Sequence, residues 1–231
     1  MKYRWAILLI TCLVSHAFSQ KAKNWTIIYY AAGSNSSEID LLNDIKEMKR
    51  GKKSKDYNVI TLIDRIEGNS EDSIALGENF RDTRLYQIEH NTYKHLSGQE
   101  FFPEIGIHKS YEANMADAAT LKKFIAYCKK YYPAQYYMLI LRSHGNGVGM
   151  CTDAEDGNED HLYPAEITNV LSKNESVDIL GLDVCSMAGI ENLYQWRPEN
   201  SSFSSNFVIA SAPLSGAWAY DHILERITNN A

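Results

Sequence analysis

Residues 135–141 read QYYMLIL and residues 177–184 read VDILGLDV, and these two stretches decide the fold class. Short, nearly continuous apolar runs are typical of strands that are buried on both faces of a parallel sheet. A short helical pattern after Pro164 lies between them, as a crossover between parallel strands requires. Together they predict an α/β protein whose central sheet is mainly parallel.

The rest of the chain continues this alternation of strands and helices. Further strands are predicted at residues 25–32, 57–63, 83–88 and 207–210, and further helices are predicted to begin at Ser37, Asp117 and Met187. Ser37, with Asp40 three residues later, has the pattern of a capping box, and Asp117 is a second N-cap. No repeat or linker divides the chain, so we expect one domain.

The composition excludes several classes of protein. The 231 residues include 23 Lys and Arg against 29 Asp and Glu, which gives a net charge of −6, and 45% of the residues are hydrophobic. A chain of this kind can bury a substantial core. An acidic balance without a dense basic block argues against a nucleic-acid partner.

Residues 1–19 have the plan of a signal peptide: a basic start, an apolar run and small residues before the predicted cleavage point. The folded domain would then span residues 20–231. The apolar run, residues 5–14, is shorter than the ~20 residues of a membrane span, so we expect no stable membrane span. The segment predicts a secreted or cell-envelope protein, and lipid attachment at Cys12 is the less favoured alternative.

Three of the four cysteines lie beyond this signal, which argues against a disulfide framework. Cys128 occupies an apolar position of a predicted helix, so we expect it in the core. Cys151 lies in a predicted acidic loop. Cys185 immediately follows a predicted strand.

His144 and Cys185 each follow a buried strand, so both are expected at the carboxyl edge of the sheet, where ligands bind in such folds. A thiolate nucleophile needs an acid/base group and N–H donors nearby. Gly145 would allow a close backbone approach, and a helix starting after Cys185 would favour the thiolate. Two interpretations stay open: a catalytic Cys/His pair, or a turn histidine beside a packed thiol.

These motifs resemble those of the clostripain-like cysteine peptidases, relatives of the caspases and gingipains. Residues 138–145, 178–191 and 211–221 carry the resemblance, and a weaker likeness extends back to Trp25. The resemblance implies a caspase-like α/β sandwich and endopeptidase activity after Arg or Lys. It also implies Cys185 as the nucleophile and His144 as the general acid/base. The backbone N–H groups of Gly145 and Cys185 would form the oxyanion hole.

By the same resemblance, Asp183 would determine specificity by pairing with a basic substrate side chain. Positions two apart on a strand face the same way, so Asp183 can lie near the thiol of Cys185. Its alternative role is to cap a loop at the strand end. Trp218 and Tyr220 would form an apolar wall of the pocket, with core packing as the alternative.

The chain departs from the family pattern at several positions. Arg142 stands where an aromatic residue is common, and Ala212 and Pro213 occupy a stretch that is frequently acidic. The sequence stops at Ala231, whereas family members continue, which suggests a separate C-terminal heavy-chain fragment as a partner. These departures keep open an inactive or partner-dependent homologue that acts as a peptide-binding module.

A third interpretation is a hydrolase or redox enzyme with a single reactive thiol. It is disfavoured because the chain has no Cys-x-x-Cys motif, Gly-rich phosphate loop or Gly-x-Ser-x-Gly elbow. Protein or peptide substrates are therefore the expected partners, with no cofactor required. No metal site is predicted, because the histidines lack ligand spacing. Calcium stays an alternative because of the acidic residues Asp153, Glu155, Asp156, Glu159 and Asp160.

Overall fold

The computed structural model describes residues 22–106, 110–154, 159–197 and 201–229, so the predicted signal peptide lies outside the described residues. The strands are β1 (Lys23–Gly33), β2 (Tyr57–Arg65), β3 (Thr83–Glu89), β4 (Thr92–Leu96), β5 (Ala134–Arg142), β6 (Met150–Asp153), β7 (Asp160–Leu162), β8 (Val177–Asp183) and β9 (Ser205–Ala210). The α-helices are α1 (Glu38–Gly51), α2 (Ala118–Tyr131), α3 (Pro164–Val170), α4 (Ile190–Leu193) and α5 (Tyr220–Asn229).

The central sheet has the strand order β4-β3-β2-β1-β5-β8-β9. β1 pairs in parallel with β2 and β5, and β8 pairs in parallel with β5 and β9. Only the β2–β3 and β3–β4 pairs of this sheet are antiparallel. The predicted mainly parallel sheet of an α/β sandwich is therefore confirmed.

Two hydrophobic layers cover the sheet, and the period of two along β1 explains them. Ile28 and Tyr30 point into the layer that contains the apolar face of α2, whereas Ile27 and Tyr29 point into the layer that contains α1 and α5. β1 therefore has to be apolar on both faces. Cys128 is buried in the α2 layer, as predicted.

The two predicted N-caps have different outcomes. The side chain of Asp117 accepts a hydrogen bond from the Ala119 N–H, as expected of an N-cap. The capping-box prediction for Ser37 is wrong: Ser37 has helical backbone angles and its side chain makes no capping bond. Instead, its N–H and hydroxyl both donate to Asn35 Oδ1, at 2.9 and 2.5 Å. Asn35 thus turns the chain into α1 through an Asx-type turn.

Five elements differ from the sequence-based prediction: α4, β4, β6, β7 and α5. The helix expected from Met187 shrinks to α4, which begins five residues after Cys185, so no helix N-terminus adjoins the thiol. The β6–β7 hairpin was expected to be a loop, and β4 was not predicted. These short strands are stabilised by pairing with a neighbouring strand and have no clear strand pattern of their own. α5 was missed, although apolar residues recur along it at helical spacing. Among the described helices, none is both long and apolar enough to cross a bilayer.

A buried ion pair joins β2 to the first turn of α1. Arg65, at the carboxyl end of β2, donates from Nε to Glu38 Oε1 at 2.6 Å, and both side chains are fully buried. The guanidinium also donates to Asn79 Oδ1 at 2.8 Å and lies over the Phe80 ring. Arg65 therefore organises the loop after β2 around one cation.

We predict that Glu38→Gln destabilises the fold by about 3 to 5 kcal/mol, because it leaves a buried cation without its counter-charge. Urea unfolding of the purified protein measures this loss. The matched control is Glu225→Gln, which breaks the exposed Lys53–Glu225 pair and should cost only about 0 to 1 kcal/mol. Equal losses in the two variants would contradict the organising role of the buried pair.

Candidate active site

Parallel pairing brings His144, Gly145 and Cys185 to one edge of the sheet. Arg142 and Asp183 are partners in the β5–β8 register, so the segments that follow them emerge side by side. A Cβ atom placed on Gly145 would lie 2.5 Å from the Cys185 carbonyl oxygen. No such contact is tolerated by a side chain, so glycine is required here. His144 therefore lies next to a residue that touches the Cys185 backbone.

A sharp turn presents the Cys185 thiol. Ser186 has a φ of 62°, a left-handed conformation that non-glycine residues seldom adopt and that clusters at functional sites. Its N–H donates to the Pro213 carbonyl at 2.9 Å, and the Ser215 N–H donates to Cys185 Sγ at 3.4 Å. The loop of residues 211–219 thus holds the turn and places an N–H donor against the sulfur.

Cys185 is the accessible thiol among the described cysteines. It is half-buried, whereas Cys128 and Cys151 are fully buried. Burial raises the pKa of both buried thiols well above the usual range, so they stay protonated and unreactive.

His144 is exposed and hydrogen-bonded through Nε2 to Ser36 Oγ at 2.8 Å. Ser36 belongs to the β1–α1 loop, which the buried side chain of Asn35 braces. Asn35 Nδ2 donates to Ser143 Oγ at 3.1 Å and to the Thr152 carbonyl at 2.7 Å. Neither Ser36 nor Asn35 was predicted. The signal was present, because both follow a buried strand just as His144 does.

A cleft of about 650 Å³ opens beside His144. It lies between the β1–α1 loop, the segment that follows β5 and the β6–β7 hairpin. Its lining residues are Asn35, Ser36, His144, Gly145, Asn146, Thr152, Ala154, Glu159 and His161. The histidine therefore stands at a concave surface with room for a peptide segment.

Asp183 is fully buried and its two carboxylate oxygens have partners. Oδ1 accepts from Ser215 Oγ at 3.2 Å, and Oδ2 accepts from the Tyr220 hydroxyl at 2.7 Å. Arg142 Nε lies 3.1 Å from the same Oδ2 and 2.8 Å from Asp44 Oδ2. Ser215 therefore links the specificity candidate to the thiol, since its N–H reaches Cys185 and its hydroxyl reaches Asp183.

Burial and charge oppose each other at these carboxylates. Burial raises the pKa of Asp183, and Arg142 and the hydroxyl donors counteract this rise. Burial likewise raises the pKa of Asp44 to about 6, against the opposing effect of Arg142. Burial lowers the pKa of Arg142, but Tyr29 and the two carboxylates outweigh that effect and raise it overall. Arg142 therefore stays charged.

The two aromatic candidates occupy different environments. Trp218 is half-buried, and its ring packs on β8 where Gly181 has no side chain: a Cβ there would lie 3.0 Å from a ring carbon. Tyr220 is buried at the start of α5 and reaches Asp183 with its hydroxyl. The structure thus brings Tyr220 to Asp183 as a hydrogen-bond donor.

The calcium alternative gains no geometric support from the described part of the chain, where no group of three or more His, Cys, Asp or Glu side chains could hold an ion. Asp153 accepts a hydrogen bond from the Met115 N–H. Glu155 and Asp156, two members of the predicted acidic loop, lie outside the described residues.

Residues 29–231 match the family model of peptidase C11, the clostripain family. The chain belongs to the clostripain family. It is 44% identical to clostripain from Hathewaya histolytica over an alignment 236 positions long, which covers 92% of this chain and 45% of clostripain. The resemblance drawn from the sequence motifs is thereby confirmed.

Solved structures with the same fold include two C11 proteases. The first is a secreted C11 cysteine protease from Bacteroides thetaiotaomicron in complex with an irreversible peptide inhibitor, with a TM-score of 0.64 and 18% identity over 87% of this chain. The second is an inactive zymogen C11 protease from Parabacteroides distasonis, with a TM-score of 0.61 and 20% identity over 88% of this chain. This clostripain-family chain spans 53% of each structure, and so about half the length of its relatives.

We predict that Gly145→Ala destabilises the fold by about 1 to 3 kcal/mol, because the added methyl group forces the His144 segment away from Cys185. Urea unfolding measures the change. Gly216→Ala is the matched control: a Cβ at Gly216 meets no atom within 4 Å and its φ is not left-handed. The control should stay within about 0.5 kcal/mol of the unmodified chain, and a similar loss in both variants would contradict the close-contact requirement.

Proposed function

We propose that this clostripain-family chain is a secreted cysteine endopeptidase that cleaves after Arg or Lys through Cys185 and His144. The observation that carries the proposal is the close approach of Gly145 to the Cys185 backbone, because Gly145 directly follows the exposed His144 and Cys185 is the accessible thiol. The signal-peptide pattern of residues 1–19 supports export. No cofactor is required by this chemistry, and calcium stays an untested alternative.

In this proposal the Cys185 thiolate attacks the substrate carbonyl carbon, and His144 gives a proton to the leaving amine. Water then hydrolyses the thioester with His144 as general base. The oxyanion would accept hydrogen bonds from the Gly145 and Cys185 N–H groups. The β-bridge between Gly145 and Met150 is formed by hydrogen bonds from the N–H groups of Asn146 and Cys151. This bridge does not use the Gly145 N–H, which supports its proposed role as an oxyanion donor.

We assign basic specificity to Asp183. The support for this assignment is that Ser215 contacts both residues: its N–H donates to Cys185 Sγ, and its hydroxyl donates to the Asp183 carboxylate. Asp183 therefore lies close to the sulfur that would attack the carbonyl. The side chain of the residue that supplies that carbonyl would then extend toward Asp183. Trp218, packed on the same strand, would form an apolar wall for the methylene groups of that side chain.

Ser36 is proposed as a positioning residue for His144. Its hydroxyl engages Nε2, which leaves Nδ1 as the nitrogen that handles the proton of the leaving amine. The hydrogen bonds from Asn35 to Ser143 and Thr152 fix the loop that carries Ser36, so the orientation of the His144 ring would be set before substrate binds.

A C-terminal heavy-chain fragment is a further proposed partner. It is supported by the half-length coverage of the relatives. The outermost strand β9 also exposes two large apolar side chains, Phe207 and Ile209, on one face of the sheet.

We predict that the chain hydrolyses fluorogenic peptides ending in Arg or Lys at least about tenfold faster than matched peptides ending in norleucine. Cys185→Ala should abolish turnover without unfolding the protein, because it removes the nucleophile and little buried volume. One equivalent of iodoacetamide should modify Cys185 before Cys128 or Cys151, as peptide mapping can show. A folded chain without thiol-dependent turnover would favour the alternative of an inactive peptide-binding module.

We predict that Ser36→Ala lowers kcat by about tenfold, which corresponds to about 1.4 kcal/mol for one lost hydrogen bond to the ring, while KM changes less than twofold. Ser36→Thr keeps the hydroxyl and should restore most of kcat. The pH profile of kcat should shift in the alanine variant alone. Equal losses in Ala and Thr variants would contradict the positioning role.

A further inference from the structure

A buried trio of charged side chains underlies the specificity site: Asp44 from α1, Arg142 from the end of β5 and Asp183 from the end of β8. Their exposed fractions are only 4%, 8% and 0%. The Tyr29 hydroxyl donates to Asp44 Oδ2 at 2.9 Å, and the Tyr220 hydroxyl donates to Asp183 Oδ2. The trio therefore holds two acids and one base in a space from which water is largely excluded.

Arg142 Nε lies between the two carboxylates, 2.8 Å from Asp44 and 3.1 Å from Asp183. One guanidinium carries a single charge and cannot neutralise both acids. With both carboxylates ionised the trio has a net charge of −1, so a negative charge is left for a basic group that arrives from outside. If Asp44 were uncharged, Arg142 would pair with Asp183 alone and the trio would be neutral.

The trio also borders on solvent. Asp44 lines a surface cavity of about 350 Å³ between α1 and the 211–219 loop, with Asp40 and Ala217 among its other walls. Ala217 lies two residues after Ser215, which contacts both Asp183 and the thiol. Asp44 therefore lies between an external cavity and the interior of the specificity site.

We propose that Asp44 is a specificity-determining positioning residue: as the counter-ion of Arg142, it keeps the Asp183 charge available for a basic substrate side chain. This inference rests on the proposed function, because it acts through Asp183 in the substrate pocket. Arg142 has the opposite effect, because its positive charge weakens the attraction that Asp44 and Asp183 together would exert on a basic substrate side chain. The preference for basic residues then follows the net charge of the trio.

The test compares two peptides that are identical except for Arg or norleucine before the scissile bond. Asp44→Asn keeps an acceptor for the Tyr29 hydroxyl but neutralises the trio. We expect the kcat/KM ratio of the Arg peptide to the norleucine peptide to fall by about tenfold or more. Arg142→Gln should raise the same ratio. The double variant has a net charge of −1 again, so its ratio should return to within about threefold of the unmodified chain.

Glu47→Gln is the matched control: Glu47 lies one turn further along α1, lines the same cavity and is not part of the trio, and glutamine keeps an oxygen that can accept the Tyr220 N–H. Its ratio should change less than twofold. A purely structural trio would instead reduce kcat/KM for both peptides equally and leave the ratio unchanged in every variant, which overturns the inference. Urea unfolding identifies any single variant that does not fold, and the remaining single variant then decides.

The same two peptides are also titrated by calorimetry onto four proteins in a Cys185→Ala background: the otherwise unmodified chain, the two single variants of the trio and the double variant. If the unmodified chain shows no turnover but the Arg preference in binding still follows the trio charge, the endopeptidase proposal fails and the role of Asp44 stands. If turnover is present and neither binding nor kcat/KM follows the charge, the role of Asp44 fails and the endopeptidase proposal stands. If no variant binds either peptide and the unmodified chain cleaves neither, both fail.

Discussion

The backbone contact between Gly145 and Cys185 is the constraint on which the rest of the site depends. It exists because β5 and β8 pair in parallel with Arg142 opposite Asp183, so the two following segments leave the sheet together. A slip of β8 by one residue against β5 would turn the side chains of β8 to the wrong face of the sheet. It would also separate Gly145 from the Cys185 carbonyl, which comes this close only because glycine has no side chain. The site geometry is thus a consequence of strand register rather than of loop structure.

The same register creates the electrostatic problem at the site. Partners in a parallel sheet carry their side chains on one face, so Arg142 and Asp183 are forced together in the layer that packs against α1 and α5. Burying a carboxylate there is costly without a partner, and burying two is more so. Arg142 and the hydroxyls of Tyr29 and Tyr220 offset that cost. Under the proposed specificity, stability and substrate recognition would depend on the same charges, so the net charge of the trio is the quantity that the variants change.

Much of the fold and part of the site could be predicted from the sequence. Strands buried on both faces are recognisable as apolar runs, and the reactive residues directly after two such runs led to the prediction of His144 and Cys185, whose segments the structure brings to one edge of the sheet. The contact of Ser36 with His144 was not predicted although the same reasoning applies to Ser36, because nothing in the sequence distinguishes this serine from other serines that follow strands. Other features depend on distant segments and leave no local pattern. The β6–β7 hairpin needs its partner strand, the left-handed turn at Ser186 is held by the 211–219 loop, and Ser37 lost its predicted cap to Asn35.

The two halves of the site are supported by different parts of the chain. Cys185 depends on β8 and the 211–219 loop, whereas His144 depends on the β1–α1 loop through Ser36. Helix α1 connects the two supports, since the loop that enters it carries Ser36 and its buried face carries Asp44, which contacts Arg142. A shift of this helix would therefore disturb both His144 and the Arg142–Asp44 pair that lies next to Asp183. The buried Glu38–Arg65 pair in its first turn opposes such a shift, so an interaction remote from the thiol contributes to the geometry of both halves.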